Sequence, residues 1–185
     1  MYLCACLGGL LVIGFAADIG VELAGLDVTT ATSAVSVIAL FNLVGRLLCG
    51  TLSDRVGHIN MIIAMFFITA VMMVGLSLFP MDKALFFILL AGIALCFGGF
   101  TSVFPAILGD LYGTQNIGGN IGLIYQAYGA AALMSPVVIS LADGLRSTFM
   151  ITAVIAGAGM LMSCMLLIAT DKTLVEKFYR PLLSS

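Results

Sequence analysis

The chain has 185 residues, 62% of them hydrophobic and 9% charged, with mean hydropathy +1.24 and a formal net charge of −2. Soluble domains carry roughly a quarter charged residues, so these values exclude an ordinary soluble domain and place the chain in a lipid bilayer. Its few charges sit in short clusters between long apolar runs, and nucleic acid is not an expected partner.

A bilayer core is crossed by about 20 apolar residues in a helix. By that measure six spans are expected, at about 1–17, 30–52, 59–79, 84–108, 117–142 and 147–170, with a cytoplasmic tail at 171–185. Helices are required because a lipid-exposed backbone must satisfy its hydrogen bonds within its own segment. The alternating pattern of a membrane barrel is missing. The expected fold class is therefore an all-α membrane protein with six transmembrane helices.

The first span starts at Met1 and is short, without the basic leader and small-residue cleavage site of a signal peptide. We read the chain as a fragment cut from a longer protein. On the second span Asn42 and Arg46 are four residues apart and share one helix face. An arginine in hydrocarbon is expensive and marks a functional site by default. Its planar fork suits a carboxylate. The opposing reading is that Arg46, about six residues or ~9 Å from the end of its span, snorkels to the interface.

The turn after that span reads Gly50-Thr-Leu-Ser-Asp54-Arg55-Val-Gly57. Gly50 and Gly57 allow close helix approach and unusual backbone angles. Asp54 suits the positive end of a helix dipole, and Arg55 suits a neighbouring carboxylate or terminal carbonyls. His58 reads either as a solvated loop residue or as a titrating group.

On the fourth span Phe100 and Phe104 read as packing residues, and Gly98 and Gly99 as close-contact positions. On the fifth, Tyr125, Tyr128 and Ala132 share a face, with Gln126 offset beside Gly122 and Gly129. Their hydroxyls either line a cavity or bond between helices. Gly118, Gly119 and Gly122 suggest further close contacts, and Pro105 and Pro136 suggest bends. All five cysteines lie in apolar segments and read as small buried residues. With no zinc motif or disulfide framework, no metal or other cofactor is expected.

Basic residues favour cytoplasmic loops. Six spans put Arg55, Lys172, Lys177 and Arg180 on one side; Lys83 and Arg146 fall on the other with Asp18, Glu22, Asp27, Asp82 and Asp143. The 52–58 turn and the C-terminus are therefore expected to be cytoplasmic, in a multi-pass plasma-membrane protein.

The motif Gly50-x-Leu-x-Asp54-Arg55-x-Gly57 resembles that of the major facilitator superfamily, where it follows the second helix of each six-helix half. The resemblance implies that Gly50, Asp54, Arg55 and Gly57 form a conformational latch. The family usually continues with further basic residues, whereas this chain has His58-Ile59-Asn60. Asn42-x-x-Gly-Arg46, the stretch Phe97 to Gly113 and Asn120 to Gly129 look like the C-terminal half of the oxalate/formate antiporter branch, related to the monocarboxylate transporters. That likeness implies a small organic anion as substrate, bound by Arg46, Asn42, Tyr125, Tyr128 and Gln126. It also implies an N-terminal six-helix half as partner. The oxalate transporters of the branch carry a second cation on the span matching 117–142, and this chain has no Lys or Arg there. A monocarboxylate such as formate, pyruvate or lactate is thus preferred to oxalate. Two alternatives stand: a non-transporting or truncated membrane module, and a facilitator for an unrelated small solute. An enzyme is not expected, because no span carries a catalytic constellation.

Overall fold

The computed structural model describes residues 1–179, and the side chains of residues 1–170. Among the described residues there are seven helices and no strands: α1 (Tyr2–Gly14), α2 (Ala16–Ala24), α3 (Val28–Val56), α4 (His58–Leu78), α5 (Lys83–Tyr112), α6 (Ile117–Leu141) and α7 (Leu145–Tyr179). The fold is all-α, as the composition required. Five helices are each long and apolar enough to cross a membrane, and α1 with α2 makes a sixth if the bent pair is one span.

That pair departs from the expected first span. The helix breaks at Phe15 and turns by 68° before α2 carries on to Ala24. Asp18 lies in the first turn of α2, where the helix dipole favours a carboxylate. Gly25, at φ +59°, then ends the helix in the left-handed conformation. Asp27 caps α3: its carboxylate accepts from the Thr30 amide at 3.1 Å and from the Thr30 hydroxyl at 2.6 Å. At the other end of the chain α7 runs unbroken past residue 170 to Tyr179. The charged side chains expected in the tail, and residues 180–185, lie outside the described residues.

α5 is the axis of the bundle and packs on α3, α4 and α1; α4 also packs along α7, and α6 rests mainly on α1. Two buried clusters hold the helices. One gathers Leu76, Phe86, Leu90 and Phe149, and the other gathers Met65, Phe66, Phe100 and Phe104. In lipid, apolar surface alone does not draw helices together, so close packing must. The α3–α5 contact shows how: a Cβ on Gly45 would collide with the Leu95 carbonyl, and one on Gly98 with the Asn42 carbonyl. The two backbones touch where both sequences offer glycine. Gly99 likewise admits Cys49 and Met65. Gly118, Gly119 and Gly122 do not behave this way, because a Cβ on any of them meets nothing within 4 Å. They lie on the outer, exposed part of α6, so their expected helix contacts are not made within the described residues.

Candidate functional site

The glycine contact between α3 and α5 sets the position of Asn42 and Arg46. Asn42 rests its own carbonyl on Gly98, and Arg46 follows one helical turn later. The Arg46 Nε donates to Asn42 Oδ1 at 3.1 Å, so the pair predicted from spacing is a bonded pair. α3 ends at Val56, ten residues beyond Arg46 rather than the expected six. That places Arg46 about 15 Å from the helix end. Its bond to Asn42 also turns the side chain back toward the middle of α3, away from the near end. Both facts oppose snorkelling.

Arg46 lines a cavity of about 500 Å³ together with Tyr2, Thr101, Ser102, Tyr125 and Tyr128. The walls come from α1, α3, α5 and α6. Tyr125 and Tyr128, three apart on α6, both face it, and each is partly exposed there. Aromatic contacts set the ring positions: Tyr2 lies 4.7 Å from Phe104 and 5.8 Å from Tyr125, and Tyr128 stacks on Phe97 at 6.4 Å. Gln126, rotated about 100° from Tyr125 by helix geometry, is exposed and does not line the cavity. It stands apart from the other four.

Chemically the cavity offers one guanidinium, several hydroxyls and aromatic faces. A planar, singly charged anion can take both arms of the fork and rest on rings whose edges are weakly positive. Tyr2, Thr101 and Ser102 had not been singled out from the sequence. For Tyr2 the usable signal was a phenol inside an apolar run, since a buried tyrosine hydroxyl needs a partner. Thr101 and Ser102 sit one turn past the two glycines of α5, and spacing alone gave no sign that they face Arg46.

The residues of the 50–57 motif behave unequally. Gly57 has φ +95° and joins α3 to α4 without a loop residue between them, which requires glycine. Gly50 faces Ser102, with ordinary room for a Cβ at 3.6 Å. Asp54 and Arg55 are exposed, and neither makes an ion pair among the described residues. Asp54 does not cap α4, whose N-cap is Gly57. Arg55 sits in the last turn of α3, complementing the negative end of that helix. His58 is not a loop residue. It opens α4 with its side chain 18% exposed, and its Nε2 lies 3.5 Å from Asp110 Oδ2 near the end of α5.

Comparison with known proteins adds to this geometry. The profile described as Major Facilitator Superfamily matches residues 1–181. Over 133 residues, 72% of the chain, it is 41% identical to the uncharacterized MFS-type transporter YhjX of Escherichia coli (strain K12), covering 33% of that protein. It is 32% identical over 154 residues to the oxalate:formate antiporter of Oxalobacter formigenes, covering 80% of the chain and 36% of the relative. It is 31% identical over 99 residues to apicoplast pyruvate carrier 2 of Toxoplasma gondii, covering 53% of the chain and 15% of the relative. The matched regions therefore span at most 36% of the length of these curated relatives. With the superfamily profile running over nearly the whole of an all-helical, membrane-suited chain, this protein belongs to the major facilitator superfamily of membrane transporters.

Proposed function

We propose that the chain forms the C-terminal six-helix half of a secondary transporter that moves a small organic anion, preferably a monocarboxylate such as formate, pyruvate or lactate. An N-terminal half closes over the cavity from the far side, and alternating access comes from rocking of the two halves about the bound anion. Arg46 takes the carboxylate, Asn42 fixes its fork, and Tyr125 and Tyr128 enclose the ligand. Asp54 and Arg55, which have no partners here, meet theirs on the opposite half and help to set the conformational balance. The 52–58 turn and the C-terminus lie on the cytoplasmic side of the plasma membrane.

The observation that carries this reading is the Arg46–Asn42 bond, which holds a guanidinium toward the centre of a 29-residue helix and into a cavity. The names of two relatives, a pyruvate carrier and an oxalate:formate antiporter, point to the same ligand chemistry. The absence of Lys and Arg from α6 favours a single negative charge.

The test replaces Arg46 with Gln in the complete transporter and follows uptake of labelled formate, pyruvate, lactate and oxalate into proteoliposomes. Transport of every carboxylate falls at least tenfold while membrane insertion stays normal. Wild-type uptake in the R46Q variant would overturn the assignment.

A further inference from the structure

Tyr2 is the most deeply buried side chain around the cavity, at 5% exposure, and its hydroxyl has no hydrogen-bond partner. The buried Cys6 thiol, one turn along α1, is its polar neighbour, but a thiol is a weak acceptor and no hydrogen bond of ordinary geometry forms. Native proteins rarely leave a buried hydroxyl unpaired, and the exceptions need an explanation. Rings on two sides, Phe104 at 4.7 Å and Tyr125 at 5.8 Å, hold this one in place.

The other small hydroxyls of the cavity are committed differently. Thr101 Oγ1 donates to the Gly98 carbonyl at 2.8 Å, and Ser102 Oγ donates to the Gly99 carbonyl at 2.9 Å. Each hydroxyl has a single proton, so both now present lone pairs to the cavity. The lining therefore divides into donors, Arg46 and Tyr2, and acceptors, Thr101 and Ser102.

We propose that Tyr2 is a ligand-binding residue whose hydroxyl donates to the substrate carboxylate beside Arg46, and that Thr101 and Ser102 accept from a hydroxyl on the same substrate. The site then selects a 2-hydroxy monocarboxylate. This rests on the carboxylate reading of Arg46 and narrows it. A 2-oxo acid turns a carbonyl oxygen toward the two acceptor oxygens, and a dicarboxylate turns a full negative charge toward them. Either must break the bonds to Gly98 and Gly99 or leave polar groups unpaired. Sites built around hydrogen bonds discriminate strongly on that basis.

The test measures KM for lactate, pyruvate, propionate and oxalate with the complete transporter in proteoliposomes. Wild-type protein favours lactate over propionate and pyruvate by about tenfold, in keeping with one satisfied hydrogen bond. Tyr2→Phe raises KM for each monocarboxylate about tenfold, the loss of one charge-assisted bond. Its thermal midpoint in detergent is unchanged or higher, because an unpaired buried hydroxyl has been removed. Ser102→Ala reduces the preference for lactate over propionate at least threefold. An unchanged KM in Tyr2→Phe would overturn the role of Tyr2, as would a fall in its thermal midpoint with KM preserved. Equal KM for lactate and propionate in wild type would overturn the acceptor assignment. If Arg46→Gln loses all carboxylate uptake while Tyr2→Phe keeps its KM, the inference fails alone. If both variants transport normally, the carboxylate reading falls with it.

Discussion

Gly98→Ala tests whether the backbone contact between α3 and α5 positions the ligand site. A Cβ at Gly98 would stand 2.8 Å from the Asn42 carbonyl carbon and nearer still to its oxygen. Ordinary contact between carbon atoms is about 3.5–4.0 Å. The obstruction is backbone on a packed helix, so no rotamer change relieves it. The helices must part by on the order of 1 Å, and overpacking of this kind typically costs about 1–3 kcal/mol. Helix propensity alone would favour alanine by ~1 kcal/mol, so a net loss of stability isolates the contact. Function is expected to suffer more than stability, because Asn42 and Arg46 ride on the displaced helix. A misplacement of ~1 Å can reduce activity by about a hundredfold. The assay pairs thermal unfolding in detergent with carboxylate uptake, using Gly50→Ala as its control. Gly50 lies on the same helix face with its nearest neighbour, Ser102 Oγ, at 3.6 Å, so alanine there is neutral or stabilising. Equal behaviour of the two variants, or a stable and fully active Gly98→Ala, would refute the argument that the glycine contact sets the site.

Two further predictions address the ends of α3. Gly57→Ala places a side chain at φ +95°, a conformation L residues adopt only at a cost of order 1–3 kcal/mol; a lowered thermal midpoint is expected, and an unchanged one would count against a glycine requirement at this turn. The Asp27 carboxyl lies below the usual carboxylate value of 3.8, chiefly because the Thr30 hydroxyl and amide donate to it, with a smaller contribution from Lys83. A depressed value means the cap stabilises fully above pH 3.8 and fades as pH falls through the lower folded value. Hydrogen exchange at the Thr30 amide should therefore quicken on acidification in wild type, after correction for intrinsic rates. In Asp27→Asn, which retains capping ability, it should not; the same pH response in both would contradict the assignment.

The sequence disclosed what depends on neighbours along one helix and concealed what depends on how helices cross. Asn42 and Arg46 at i and i+4, and Tyr125 and Tyr128 at i and i+3, were placed on common faces by helical geometry alone, and both pairs face one cavity. Gln126 failed for the same reason that the tyrosines succeeded: one residue turns the helix by about 100°. The glycines were harder. Gly98 and Gly118 look alike in an apolar run, yet one meets a carbonyl and the other meets nothing within 4 Å, because α5 is the axis of the bundle and α6 its edge. Arg46 was the most ambiguous residue, since its distance from the interface depended on a helix end that the Gly57 turn moved outward by four residues. Correcting that end changes the energetic argument. At about 15 Å from the terminus, a side chain that bonds back toward the helix centre cannot place its charge in interfacial water along its own helix. The guanidinium must instead meet its counter-charge within a cavity, and in a half-bundle whose α6 carries no acid that charge is best supplied by the ligand itself.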